Sequence, residues 1–376
     1  MNNMKTLAKA TSTPLASIFG SGFLVIVPIL AGAVGSYSVV AMGCVCALAY
    51  AVGSVIRFNI VHAEPALAGS PAESTLSFER ISDFALVLAY IISVCLYLHI
   101  LSAFVLGGLH MDSGINEDLL TSSIIVAIMV IGMTKGLAML DFMEQLALLI
   151  TLLIIALLFL GFAHYDWTAW QSTGITLPRA SDHSNWQILT IVAGTLIVVQ
   201  GFETTRYLGK QFDADIRINA SRWSQIISTT VYLLFVALAL PIVHTLNGHY
   251  DDDSLIKLAG VASGLLIAPL IIAAALSQFS AAVADTGAAI GNMVEVTHEH
   301  IKARWGYILI GSGALALTWS ADTLEIVALA SRSFAFYYMF QCFVAISVCK
   351  STMQKIGIGS IAAVLAFITI FAVPAG

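Results

Sequence analysis

Long apolar runs separated by short polar segments make up the whole chain. Read at about 20 residues per bilayer crossing, they predict eleven membrane helices, near 14–34, 38–56, 84–108, 119–133, 138–162, 187–212, 224–244, 258–291, 305–320, 324–348 and 357–374. Two runs are interrupted by glycine beside polar residues. The first carries Ser17-Ile18-Phe19-Gly20-Ser21-Gly22-Phe23, and the sixth carries Gln200-Gly201-Phe202-Glu203-Thr204-Thr205. In hydrocarbon a broken helix is tolerated only where its freed backbone groups face protein, water or a ligand. Interruptions at matching places in two halves point to a solute site near the membrane midplane.

The halves are residues 1–164 (helices one to five) and 187–349 (helices six to ten), with an eleventh helix in 350–376. Five is odd, so the second unit enters from the opposite side and is inverted relative to the first. Gly20 to Gly22 lie about 12 Å along helix one from its cytoplasmic end, at 1.5 Å per residue. Gly201 to Glu203 lie at a similar depth in helix six, so the two breaks are expected to face each other.

Composition narrows the class. Hydrophobic residues are 59% of the 376 and charged residues only 10%, against about 25% charged in a soluble domain; mean hydropathy is +0.92. The chain is expected to be an all-α integral membrane protein, of a bacterial inner (plasma) membrane. With the N-terminus cytoplasmic, only Arg179 and Lys257 fall outside and Arg332 falls within a span; the rest of the 16 basic residues are cytoplasmic, as the positive-inside rule requires. The C-terminus is then outside. Lys5 and Lys9 before an apolar run imitate a secretory signal, but the apolar stretch continues into a second helix, which favours an uncleaved first span. The five cysteines suggest neither a disulfide framework nor a metal site. No loop is long enough for a domain with its own core. At a net charge of −6, no nucleic-acid partner is expected; lipid and a small-molecule solute are.

Gly20-Ser21-Gly22-Phe23, with Gly201-Phe202-Glu203-Thr204-Thr205 and the following Tyr207-Leu208-Gly209-Lys210, resembles the amino acid–polyamine–organocation (APC) superfamily. The motifs cover about twenty residues and the architecture covers the chain. The resemblance implies a LeuT-like five-plus-five inverted repeat with discontinuous helices one and six. It further implies secondary transport of amino acids or related small solutes by alternating access, with a proton or sodium ion as the coupling ion and no other cofactor. The chain departs from the family's common pattern in having eleven helices rather than twelve. It also lacks the lysine that some proton-coupled members carry in helix five; Thr151 lies near that position.

The candidate substrate residues are Ser17, Gly20, Ser21, Gly22 and Phe23 at the first break, Gln200, Gly201 and Phe202 at the sixth, and Tyr97 in helix three. Glycines free the backbone to open, and a half-helix starting there presents its positive dipole end, which favours a carboxylate. The resemblance implies the same place for a substrate carboxylate, and carbonyls of helices one and six for its amine. The bland alternative is close packing of small residues. Glu203 is an acid within a span, costly unless it faces a partner or a water cavity. It could carry the coupled proton, or it could bond unwound amides or pair with Arg206.

Asp285 in helix eight shares a face with Ser277 and Ala281, beside Ser280 and Thr286. That oxygen set could hold a sodium ion or a proton, and a salt bridge to a cytoplasmic cation is the structural alternative. Tyr97 could close over a substrate or serve as a core tyrosine. Arg332, seven residues after Glu325, could gate the outside or snorkel to that surface. Asp141 and Glu144 read as interfacial, and the pair His298 and His300 as solvated.

The rival reading within transport is a potassium permease using carbonyls at the breaks and Asp285. An enzyme is not expected: no His-Glu-x-x-His, no Gly-x-Ser-x-Gly and no other catalytic set occurs.

Overall fold

A computed structural model describes residues 2–111, 113–135, 141–172, 174–179, 181–297, 300 and 302–374. Among them there are helices and no strands. The first expected span is two helices, α1 (Asn2–Ser21) and α2 (Ile26–Val34), separated at Gly22–Val25. α3 (Ser38–Phe58) runs through a π turn at Asn59–Ala63 into the short α4 (Glu64–Ala68), and α5 (Glu73–Gly108), α6 (Gly114–Lys135) and α7 (Asp141–Ser172) follow. The sixth span is also divided. α8 (Asn185–Ala193) and a 3-10 turn at Leu196–Val199 precede the break, and α9 (Thr204–Tyr207) follows it. Then come α10 (Ala214–Ala239), α11 (Ser254–Ala262), α12 (Ile267–Val296), α13 (Ala303–Thr318), α14 (Thr323–Val348) and α15 (Thr352–Phe371).

Seven helical stretches among the described residues are long and apolar enough to cross a membrane: Ile26–Ala68, Glu73–Gly108, Gly114–Thr134, Gln145–Ser172, Ala214–Ala239, Gly264–Val294 and Thr352–Phe371. The other expected spans fall on α1, α8 with α9, α13 and α14. Breaks shorten the pieces of the first and sixth, α13 has only 16 residues, and Glu325, Arg332 and Gln341 make α14 more polar.

Several boundaries differ from the hydropathy reading. α1 begins at Asn2 rather than near 14, and Pro14 lies inside it. α5 begins at Glu73 rather than near 84, because Glu79 and Ser82 make buried tertiary hydrogen bonds that hold its first turns. α7 continues to Ser172, so Trp167 and Trp170 pack at 5.4 Å on a helix instead of standing in a loop. The stretch expected at 258–291 is two helices, α11 and α12.

α5 is the central post. It is buried along most of its length and packs most extensively against α12 and α14. Capping fixes two of the helix starts. Ser184 with Gln187 and Asp322 with Glu325 form reciprocal capping boxes at α8 and α14, each satisfying orphan amides of a first turn.

Candidate functional site

The two breaks meet. Gly201 has φ +128°, a conformation that L side chains rarely adopt, and a Cβ there would stand 2.7 Å from the Ile18 amide nitrogen and 2.8 Å from the Ser17 Cβ. A Cβ on Gly22 would reach 2.6 Å from Val198 Cγ2. Each break therefore uses a glycine to let the other broken span approach. The Tyr232 hydroxyl of α10 lies 2.9 Å from the Ile18 carbonyl and 2.8 Å from the Val198 carbonyl, joining the freed backbone of both spans through one group. Aromatic rings close one side of the junction: Phe23 packs on Phe235, which stacks with Phe159 and Phe162.

Glu203 is fully buried at the start of α9. Its Oε2 accepts from the Gly201 amide at 2.8 Å and from the Tyr338 hydroxyl at 2.7 Å. Its Oε1 has no hydrogen-bond partner among the described atoms. Arg206 turns away from it. One nitrogen donates to Glu79 Oε1 at 2.7 Å and another to Gln341 Oε1, while Arg217 forks onto both oxygens of Glu64 at 2.9 and 2.7 Å. Gln341 also donates to Ser82, and Asn59 donates to Gln341. This polar cluster ties α9 to the π turn after α3 and to α4, α5, α10 and α14.

A cavity of about 760 Å³ runs along the other flank of α9. α1 contributes Ser17 and Gly20 to its wall, α5 contributes Tyr90, and α7 contributes Thr151. α9 contributes Thr204 and Tyr207, and α12 contributes Ser277, Ser280 and Asp285. Thr13, Lys210 and Asn292 also line it, on the side where α1 begins and α12 ends. Thr151 Oγ1 is buried without a hydrogen-bond partner among the described atoms. Among the described residues no group of three or more His, Cys, Asp or Glu is placed to hold a metal ion.

The structure thus brings Ser17, Gly20, Asp285, Ser277 and Ser280 to one cavity and leaves other expected residues off its wall. Gly22 packs on Val198, and Phe23 on Phe235. Tyr97 accepts from Gln200 at 3.2 Å, both buried. Phe202 stacks on Tyr338 at 5.3 Å. Thr286 bonds back to the Ala282 carbonyl at 2.7 Å. Arg332 is exposed on the outer face of α14, where Nε donates to the Thr369 carbonyl at 2.8 Å; Glu325, its expected neighbour, is engaged in the α14 capping box. His298 and the side chains of Ser21, Asp141 and Glu144 lie outside the described residues. Sequence reasoning missed Tyr232, Tyr338, Tyr90 and Thr204. The three tyrosines lie in unbroken apolar runs, and nothing local marks which hydroxyl reaches a distant break.

Long apolar helices packed around a cavity beside two broken spans mark an integral membrane protein. A family model described as "APC superfamily transporter" matches residues 2–372, and the chain belongs to that superfamily; it is a transporter and not an enzyme. An uncharacterized protein of Aquifex aeolicus (strain VF5) is 37% identical over 375 residues, covering 98% of this chain and 91% of that one. The fold is similar to solved structures of the manganese transporter of Eremococcus coleocola. A mutant of it matches with a TM-score of 0.56 at 12% identity, covering 97% of this chain and 85% of that one. Its complex with an aromatic bis-isothiourea substituted compound matches with the same score and coverage at 13% identity.

Proposed function

We propose that the protein is a secondary active transporter of amino acids or related small organic solutes, working by alternating access and coupled to a proton. The cavity that reaches α1, α9 and Asp285 together carries this reading. At about 760 Å³ it falls in the size range of small-molecule sites. Its wall carries one carboxylate (Asp285), the Lys210 ammonium, the Asn292 amide, several hydroxyls and aromatic rings. That set suits a solute bearing an amine better than a divalent metal, which favours several oxygen ligands and carboxylates; this weighs against the manganese carried by the similar fold.

Eleven spans in an inverted five-plus-five arrangement accommodate the helices, with α1–α2 and α8–α9 as the discontinuous first and sixth spans. With the N-terminus cytoplasmic, the cavity opens inward, and the Phe23–Phe235 packing with the Tyr97–Gln200 bond closes the outer path. Glu203, whose Oε1 is unbonded beside the break, is the proton carrier in this reading, and Asp285 with Ser277 and Ser280 is a second place for the coupling ion.

Purified protein in proteoliposomes, given labelled amino acids under an inward proton gradient, tests the reading. Saturable accumulation that collapses when the gradient is dissipated is expected. Uptake of manganese or potassium with no amino-acid uptake would overturn it.

A further inference from the structure

An arginine in the apolar part of a span has an unexpected setting. Arg332 is exposed on α14, about two and a half turns from the start of that helix, and has no ion pair among the described residues. Its Nε donates to the Thr369 carbonyl at 2.8 Å and Nη2 to the Ile370 carbonyl at 3.4 Å. α15 ends at Phe371, so these are carbonyls of its last turn, which have no partner within their own helix. Arg332 therefore caps a neighbouring helix, at the negative end of its dipole.

The depth is informative. Trp186 stands edge-on to Phe371 with centroids 5.4 Å apart, the kind of aromatic pair found where hydrocarbon meets headgroups. The Arg332 guanidinium reaches the residues just before Phe371. A long arginine side chain that reaches the end of a neighbouring span in this way is suited to snorkel toward the headgroups. Its remaining N–H groups make no hydrogen bond among the described residues, although guanidinium is built to fork onto a planar or tetrahedral oxyanion.

Below the guanidinium lies a groove of about 380 Å³ between α5 and α14. Its walls are Leu88, Phe84 and Ile81 on α5 and Phe336 on α14. These helices run antiparallel, since Tyr90 meets Phe334 while Thr75 meets Ser347. The apolar walls therefore extend from Arg332 toward the opposite leaflet. Leu88 and Phe84 are 56% and 59% exposed, so nothing among the described residues fills the groove. One cationic head-binding group at headgroup depth with an apolar trough beneath it has the shape and charge of one ligand class.

We propose that the α5–α14–α15 groove binds an anionic phospholipid, its phosphate on Arg332 and one acyl chain along Leu88, Phe84 and Phe336. The bound lipid completes the charge balance of Arg332 and shields the α15 terminus. This site is separate from the solute cavity and does not depend on which solute is carried.

Native mass spectrometry of the purified protein, released from detergent with phosphatidylglycerol or phosphatidylcholine added, tests it. Wild type should retain one phosphatidylglycerol in preference to phosphatidylcholine. Arg332→Gln should weaken that retention about tenfold, the scale of one charge-assisted hydrogen bond, while Arg332→Lys keeps most of it. Leu88→Trp fills the trough and should lower retention with Arg332 intact, which guards against Arg332→Gln merely loosening α15. Equal retention of the two lipids, or unchanged retention in both Arg332→Gln and Leu88→Trp, overturns the proposal. So does a dimer mass in wild type that falls to monomer in Arg332→Gln, since a second copy would then occupy the groove.

Discussion

Tyr338 of α14 donates its hydroxyl to Glu203 Oε2 across 2.7 Å, and the same oxygen accepts the Gly201 amide at 2.8 Å. One carboxylate thus stitches the break of the sixth span to a helix 135 positions further along the chain. Its second oxygen has no hydrogen-bond partner among the described atoms. Glu203→Gln should lose accumulation driven by a pH gradient while keeping solute exchange, which needs no net proton movement. Tyr338→Phe should keep both but slow them, and lower stability by about 1.5–3 kcal/mol, the range for a hydrogen bond to a charged group. Counterflow measured beside gradient-driven uptake separates the two; gradient-driven accumulation that survives Glu203→Gln returns this residue to a structural role.

Tyr232 makes a different kind of stitch, since its hydroxyl lies within 2.9 Å of carbonyls on both broken spans. Tyr232→Phe leaves those buried carbonyls short of a donor, which should cost about 1–3 kcal/mol. A lower melting temperature in detergent and slower uptake are the expected results. A variant with wild-type melting would mean that other groups take over the two carbonyls.

Gly20 lets α1 lie against α12, because a Cβ there would stand 2.9 Å from the Ala281 Cβ. Gly20→Ala should therefore destabilise by about 1–3 kcal/mol through overpacking. Adding Ala281→Gly should recover most of that loss. Thermal melts of the two single variants and the double variant measure the coupling, and simple additivity would show that the contact is not the cause.

The breaks were legible because glycine beside polar residues is conspicuous inside an apolar run. Gln200-Gly201-Phe202-Glu203 reads as a disruption with no knowledge of neighbours. What those residues touch was not legible. Gly22 looks like an opened amide in sequence, yet it faces Val198, a contact across 176 positions that periodicity cannot register. Phe202 and Tyr97 were expected at the solute from their own spans; that Phe202 stacks on Tyr338 and Tyr97 bonds Gln200 was not readable there. Asp285 with Ser277 and Ser280 was legible because four-residue spacing on one helix sets a common face. Boundaries failed where polar tertiary bonds extend a helix past its apolar stretch, as Glu79 and Ser82 do at the start of α5.

Outside the membrane helices, Asp252 accepts from Thr323 at 2.6 Å and joins the loop before α11 to the start of α14. Burial pushes its carboxyl above the ordinary value; the Thr323 bond opposes this, and Asp253 and Asp251 add to it. A carboxyl raised on folding is penalised while ionised, so its contribution improves as pH falls through the folded value. Asp252→Asn, which keeps an acceptor for Thr323, should melt higher than wild type near neutral pH, with the gap narrowing on acidification. A gap that stays constant with pH would exclude ionisation of Asp252 as its origin.

Asp285 stands in the cavity wall with Ser277 and Ser280, opposite the last turns of α1 at Ser17 and Gly20. Thr151 lies near the place where the family resemblance puts a lysine, and its hydroxyl has no partner among the described atoms. Lys210 is the cationic side chain on that wall, and Asp285 is the carboxylate that a cation entering the cavity would meet. A sodium ion bound to the folded protein raises its melting temperature by mass action, so sodium should stabilise over potassium at equal ionic strength, and Asp285→Asn should abolish the difference. A proton at the same carboxyl has another signature: no preference between the two salts, and a pH dependence of uptake that moves in Asp285→Asn. The proton is the expected outcome. Thr286 bonds back to the Ala282 carbonyl instead of joining the cavity wall, which leaves few oxygens for a sodium shell of one carboxylate and two serines. A sodium-specific rise in melting temperature that disappears in Asp285→Asn would assign the site to sodium instead.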